Sequence, residues 1–522
     1  MSESRPRLNP VTLEILWPRM VSVVDEAAAA FVRTSFSTLV RDANDFAVVL
    51  TDRHGRSIAQ STRSIPSFIS TMPRTVGRFL AEFGADGMRP GDAFLTNDPW
   101  LGSGHLNDAS MAMPIFRDGE LIAFAGVVSH LPDVGGRLRN PANAEIYEEG
   151  LRIPPMRFLA AGEADRSLIR MIEANVRVAD ETVGDLWAQV SCCRALAERL
   201  LALLDETGIA LDDFAAEVMS RTETAMRDAI RAIPDGRYDH AVENDGPADF
   251  PGGVVRICCN VQVAGDALHV DYAGSSPQVD LAVNVVPTYT YAYTAYALKT
   301  VLAPWIPNAD GSFRPITVSA PEGSLLNPRF PASTGSRAQM GHLLPAAVYG
   351  ALAEVLPEQV QAAPGSPINS VQLASRGGDR RFVLNAFLGS GQGASAGMDG
   401  TSAISFPSNL SNAPVEVLET LGPIQVLYRR LRTGSGGKGR RRGGDGIAFR
   451  FRLRSDAPAT GAFQVSRTRA GAPGLAGGQA GARGRLLVND EAVDCAGHYT
   501  LVDGDEVEIQ TGGGGGFGEP FG

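Results

Sequence analysis

The run from Leu121 to Val128 reads Leu-Ile-Ala-Phe-Ala-Gly-Val-Val, apolar at every position. A strand with one face in water alternates apolar and polar residues; one that does not alternate needs cover on both faces. The run therefore predicts a central strand of a sheet packed between other layers. The chain has 522 residues, enough to build two or three large cores around such a strand. The Asp118-Gly119 pair makes the segment 120–129 the second arm of a hairpin whose first arm is 111–116. A Val-rich stretch from Phe46 to Ala59, turning at Asp52-Arg53-His54-Gly55, predicts another hairpin. Ala93 to Thr96 follows Pro90-Gly91-Asp92 as a short strand.

Helical periodicity supplies the covering layers. Leu13, Leu16, Trp17, Met20 and Val24 predict a helix from Pro10 to about Phe36, kinked at Pro18 or starting near it. A second helix closes at Phe79–Phe83 before Gly84. From Glu163 to Pro234 the spacing of Leu168, Ile172, Leu196, Leu200 and Leu204 is helical. Residues 236–275 are strand-like again, and a helix is predicted from Arg337 to Glu354. The glycine-rich segments 434–446 and 471–484 predict loops between C-terminal strands. The expected class is α+β: a mixed multi-sheet architecture with a helical segment around 163–233 and a Gly-rich β C-terminal region. The expected division is 1–160, an N-terminal α/β region; 161–235, helical; 236–420, a central α/β region; and 421–522, C-terminal β.

Composition narrows the chemistry. A net charge of −11 disfavours nucleic acid. The most apolar long stretch, 281–305, is broken by Asn284, Pro287, Lys299 and Pro304, so no membrane span is expected. Five cysteines without a C-x-x-C spacing argue against a disulfide framework or thiolate zinc site. With no apolar leader behind a basic start, a cytoplasmic location is expected. The only lysines are Lys299 and Lys438, and neither lies in G-x-x-x-x-G-K-[ST], so any nucleotide phosphates are expected on another chain.

Three of seven histidines sit among glycines or acids: His105, His130 and His342. Thr96-Asn97-Asp98-Pro99-Trp100 and Gly102-Ser103-Gly104-His105-Leu106-Asn107-Asp108 precede the first arm of the hairpin. Ser129-His130-Leu131-Pro132-Asp133-Val134-Gly135-Gly136 follows its second arm. His105 and Asp108 are one tight turn apart, and His130 ends the neighbouring strand. Together they could form a two-His, one-carboxylate set that leaves positions open for water and substrate. Asp133 or Asp98 would then accept an imidazole N–H from behind. Histidines that merely hydrogen-bond loops are the alternative reading. His342 is a further candidate beside a capping or core role, and Arg152, near Glu148 and Glu149, could clamp a substrate carboxylate or pair structurally.

These motifs resemble the hydantoinase B family, which includes halves of 5-oxoprolinases, subunits of hydantoinases and caprolactamases, and subunits of acetone and acetophenone carboxylases. The likeness continues through Glu145-Ile146-Tyr147-Glu148-Glu149-Gly150-Leu151-Arg152-Ile153-Pro154-Pro155, Arg314-Pro315-Ile316, Pro321-Glu322-Gly323 and Asn327-Pro328. Further on come Pro414-Val415-Glu416-Val417-Leu418-Glu419, Ser435-Gly436-Gly437 with Arg442-Gly443-Gly444, and Gly518-Glu519-Pro520. The resemblance implies that His105, Asp108 and His130 hold a divalent metal (manganese, iron or zinc). It also implies a hetero-oligomer in which a hydantoinase A-like subunit binds ATP and activates a small-molecule substrate. Ring opening of a hydantoin, oxoproline or lactam is the expected reaction. Ketone carboxylation, a non-catalytic scaffold and a non-haem iron oxygenase are the alternatives. The chain departs from the family where a histidine often precedes Met72-Pro73 and Ser67-Phe68-Ile69 stands instead, at Leu131, and at Ala413. Those departures bear on substrate choice.

Overall fold

The computed structural model describes residues 9–138, 142–246, 250–365, 368–376, 381–495 and 498–520. Its centre is a seven-stranded antiparallel sheet, in spatial order Ser57–Gln60, Phe46–Asp52, Glu120–His130, Asp108–Arg117, Ala93–Thr96, Met156–Ala160 and Glu163–Ala164. The predicted apolar strand lies third from one edge, and both of its faces are buried. Ala123, Ala125 and Val127 pack into one core with Leu16, Met20 and Leu196; Phe124 and Val128 pack into another with Met72, Val76 and Phe79. The turn behind this strand uses Asp118 at φ 52° and Gly119 at φ 83°, as a two-residue hairpin requires.

The first face is covered by Pro10–Thr34 and Ala179–Thr207. The first of these helices starts on Asn9, whose side chain accepts the Val11 N–H. It runs unbroken through Pro18, which lies on the exposed side, where water can satisfy the carbonyl left without its N–H donor. The helical segment divides into Arg166–Asn175, Ala179–Thr207 and Leu211–Arg231. Glu163 and Ala164, read as the helix start, instead pair with Met156–Ala160, because Asp165 caps the helix by accepting the Ser167 and Leu168 N–H groups.

A four-stranded sheet (Ile316–Ser319, Ala267–Asp271, Val254–Ala264, Gly236–Asp245) packs on the helices Pro287–Leu302 and Leu344–Leu352. The expected helix over 337–354 is split into Ala338–Gly341 and Leu344–Leu352. Pro345 has no N–H to give the Gly341 carbonyl, so the ladder stops and His342 falls at the break. Two further sheets hold the C-terminal core. One runs Val383–Phe387, Ser370–Ser375, Ala459–Gln464 and His498–Leu501; the other runs Ile424–Arg432, Gly446–Leu453, Glu506–Gln510, Arg485–Val488 and Glu491–Ala492. No helix among the described residues is long and apolar enough to cross a membrane.

The glycine segments are not simple surface loops. The tail 512–516 is buried and threads between 389–400, 435–444 and 472–482, joined by backbone bonds such as Gly437 N–H to Gly514 O at 2.8 Å and Gly515 N–H to Ala363 O at 2.9 Å. Backbones approach too closely for side chains: a Cβ on Gly514 would stand 2.0 Å from the Gln392 carbonyl oxygen. Gly514→Ala is therefore expected to lower the thermal midpoint by several degrees. Gly87→Ala, whose Cβ meets nothing within 4 Å, should leave it unchanged. Equal midpoints for the two variants in a melting experiment would contradict the packing described.

Candidate functional site

Strand register builds the site. Asp108 opens one arm of the central hairpin and His130 closes the other, and the two are direct cross-strand partners. Both point to the face opposite the Ala109–Met111 core, as does every second residue of their strands. The loop before Asp108 is held by Asn97, whose amide donates to the carbonyls of Leu106 and Leu151 at 2.8 and 2.9 Å and accepts the Ile153 N–H at 2.6 Å. A tight turn, Asp108 N–H to His105 O, then brings His105 Nδ1 to 3.2 Å from Asp108 Oδ2. The rings of His105 and His130 stand edge to face with centroids 5.0 Å apart. All three residues are buried.

Arg337 completes the group. Its Nη2 donates to Asp108 Oδ2 at 2.7 Å and to the Ser103 carbonyl at 3.0 Å, and its guanidinium lies 4.3 Å from the Tyr289 ring centre. The guanidinium stem passes so close to Gly104 (φ 105°) that a Cβ there would fall 2.6 Å from Arg337 Nε. His342 Nε2 meets the hydroxyls of Tyr289 and Tyr293 at 2.9 and 2.8 Å, and the Tyr293 hydroxyl lies 3.0 Å from Ser67 Oγ. Burial raises both phenols above their ordinary range, so they stay protonated at neutral pH. His105, Asp108, His130, Arg337, Tyr289 and His342 line one cavity of about 30 Å³, the size of about one water.

Two imidazoles and a carboxylate are the donor set of a borderline divalent cation. Two ligand atoms each roughly 2.1 Å from one ion lie about 3 Å apart, as His105 Nδ1 and Asp108 Oδ2 do. His130 Nδ1 lies 2.8 Å from the Leu131 carbonyl, which fixes the proton there and leaves the lone pair on Nε2. Among the described residues, no three His, Cys, Asp or Glu groups already enclose a common point, and Arg337 sits on the Asp108 oxygen. The donor chemistry thus fits a cation that takes Asp108 Oδ2 from Arg337.

The remaining predicted residues lie elsewhere. Asp133 accepts from Arg177 Nη1 at 2.7 Å and from the Arg177 and Gly135 N–H groups, tying the strand end to the helical segment, not to an imidazole. Asp98 accepts the Trp100 N–H at 3.0 Å in a local turn and faces Arg152 at 3.7 Å. Arg152 stacks on Phe330, while Glu148 pairs with Arg137 and Glu149 takes Ser333, Thr334 and Gly335, so the expected grouping of Arg152 with Glu148 and Glu149 gives way to Asp98. Arg337, Tyr289, Tyr293 and Ser67 were not among the sequence candidates. Tyr289 and Tyr293, four apart on one helix, carried a visible spacing; Arg337 carried none.

The sequence matches the family model described as Hydantoinase B/oxoprolinase over residues 9–520. The chain belongs to this family. A hydantoinase B/oxoprolinase relative, the caprolactamase subunit beta of Pseudomonas jessenii, is 29% identical over 98% of this chain and 91% of its own length. The 5-oxoprolinase of Dictyostelium discoideum is 25% identical over 98% of this chain but only 40% of its own length. Among solved structures, the ATP-dependent caprolactamase from Pseudomonas jessenii superposes with a TM-score of 0.88 at 28% identity, covering 98% of this chain and 92% of that one. Nucleotide-free acetone carboxylase has the same fold, with a TM-score of 0.89 at 20% identity, over 98% of this chain and 76% of that one.

Glu149 supplies a pH test of the scaffold behind this family's site. Burial pushes its carboxyl up to about 7, against bonds from Ser333, Gly335 and Thr334 and the charge of Arg337. Between the ordinary value of 4.5 and about 7 the folded chain keeps a proton that the unfolded chain releases, so stability falls as pH rises through that window. The expected loss is about 3 kcal/mol, and Glu149→Gln should flatten it. Thermal midpoints that rise with pH across the window in the parent relative to the variant would contradict this.

Proposed function

We propose that the chain is the metal-holding subunit of an ATP-dependent enzyme that opens a cyclic amide. The observation that carries this reading is that His105, Asp108 and His130 line one buried cavity at the end of the central hairpin. Membership of a family whose relatives are named caprolactamase and 5-oxoprolinase supports the amide substrate, the name of the caprolactamase subunit beta supports a separate partner subunit, and the ATP-dependent caprolactamase structure supports the use of ATP. A divalent cation bound by the three side chains would supply Lewis acidity at an open coordination position.

The chain's own residues account for the rest of the chemistry. Arg337, released from Asp108, is a guanidinium facing the cavity, able to bind a phosphate or carboxylate oxygen bidentately. Ring opening breaks a C–N bond as water adds to the carbonyl carbon, and the leaving nitrogen must take a proton. Tyr289, His342, Tyr293 and Ser67 form a hydrogen-bonded chain that can hold a proton at His342 Nε2 and deliver it through a phenol. Ser67 belongs to the segment ahead of Met72-Pro73 where the chain departs from its relatives, so we assign a part in substrate choice to this wall.

The test is metal analysis combined with turnover. The purified chain should bind about one manganese, iron or zinc ion, and His105→Ala, Asp108→Ala and His130→Ala should each lose it. Paired with a hydantoinase A-like subunit, the parent should hydrolyse ATP in step with lactam, hydantoin or oxoproline opening, and the three variants should fall by at least about 10³-fold. Full activity without metal would leave only a scaffold role; ATP use with a ketone and bicarbonate alone would replace ring opening by carboxylation. Separately, Tyr293→Phe should lower kcat by roughly 10-fold to 100-fold with KM little changed. An unaltered kcat would remove the proton chain.

A further inference from the structure

Gln339, two residues beyond Arg337, also lines a second cavity of about 290 Å³, formed by the segment 465–469, the strand Arg485–Val488 and the end of strand Gly236–Asp245. None of the residues assigned to the first site lines it. Its unusual member is Arg467, only 3% exposed and held at φ 55°. Arg467 follows directly on the strand Ala459–Gln464 and its two succeeding residues, and its own carbonyl is fixed by the Gly484 N–H at 3.0 Å.

A guanidinium carries five N–H donors and needs a counter-charge when buried. Among the described residues, the Arg467 side chain makes one hydrogen bond, from Nε to the Pro364 carbonyl at 3.1 Å, and no carboxylate is in ion-pair contact with it. Burial draws its pKa down to about 10, opposed by Asp245 from a distance, so it is still a cation at neutral pH. Asp245 itself is engaged elsewhere, accepting the Arg469 backbone N–H at 2.6 Å, and Arg469 Nη1 is spent on the Gly253 carbonyl at 3.0 Å. The cavity wall therefore holds a desolvated cation whose two Nη groups find no acceptor in the described chain.

The charge count selects the ligand. Arg467, Arg469 and Arg485 against Asp245 and Asp494 give three positive and two negative groups, a surplus of one. That balance suits a monoanion, and the two carboxylates disfavour a dianion such as phosphate. The planar guanidinium fork matches a carboxylate in shape. Val465, Leu486 and Val493 complete the lining with apolar surface for a short carbon chain.

We propose that this cavity binds a small organic monocarboxylate, its two oxygens on Nη1 and Nη2 of Arg467. The site is separate from the His105 cavity and does not depend on the function assigned to that cavity. Gln339 places it next to the short helix Ala338–Gly341 that follows Arg337.

Calorimetric titration of the chelator-treated full chain with butyrate, butyramide and inorganic phosphate tests this. Butyrate should bind at one site per chain, and butyramide and phosphate at least about tenfold more weakly. Arg467→Gln, shown folded by circular dichroism, should weaken butyrate binding by about tenfold or more, whereas His105→Ala should leave it intact. The proposal is overturned by an absence of saturable butyrate binding, by equal binding of acid and amide, or by a preference for phosphate. It is overturned equally by unchanged affinity in folded Arg467→Gln or by loss of binding in His105→Ala. If Arg467→Gln does not fold, the acid-against-amide comparison on the unaltered chain decides, together with Arg485→Gln at the exposed rim, which should weaken butyrate several-fold at low salt; unchanged affinity there also counts against it.

Discussion

The buried bond between Arg337 and Asp108 is the contact on which the site depends in the absence of a cation, joining the end of the central hairpin to the segment 333–342. A carboxylate at the end of a covered hairpin cannot stay ionised there unpaired, and a guanidinium brought to it must be held along its whole length. The chain supplies that support from separate places. Ser103 offers a carbonyl, Gly104 leaves room for the stem, and Tyr289 presents its ring face to the charge. Removing either partner would leave the other buried and uncompensated, a change that costs about 3–5 kcal/mol in such settings.

Glu149 extends the same logic one layer outward. Its carboxyl caps the backbone N–H groups of Thr334 and Gly335 just ahead of Arg337, and Gln464 donates to Ser336 from the C-terminal region at 2.8 Å. The segment 333–342 is thus pinned from the first sheet on one side and from the C-terminal sheets on the other. The glycine bundle serves a related purpose, because backbones that interlock without side chains fix the C-terminal strands against one another at close range. The cavity of about 30 Å³ lies between the first sheet and the segment 333–342 and is lined from both of them.

Much of this was legible in the sequence, for identifiable reasons. The unbroken apolar run at 121–128 required a doubly covered strand, and the Asp118-Gly119 turn marked the hairpin; the register that sets Asp108 beside His130 also needs the one-residue bulge between Ile115 and Phe116, which no local pattern announced. What escaped was long-range or competitive. Arg337 lies 229 residues from Asp108, and no local pattern distinguishes it from the many other arginines. Asp133 looked like a partner for an imidazole because it follows His130 closely, yet Arg177 claims it and a backbone carbonyl serves His130 instead. Arg152 was read beside the glutamates nearest in sequence, but strand pairing carried it to Asp98. The single-helix reading of 337–354 overlooked what Pro345 does to the turn before it, and that break is what frees His342 to face the tyrosines.

Whether three side chains from two hairpin ends close on one ion is best examined by pulsed electron paramagnetic resonance of the chain loaded with Mn(II). Two coordinated imidazole nitrogens, His105 and His130, should each give a resolved nitrogen coupling. Both couplings should vanish together with the bound ion in each single His→Ala variant. A manganese spectrum without nitrogen couplings, or one that neither substitution changes, would place the ion elsewhere and contradict the site.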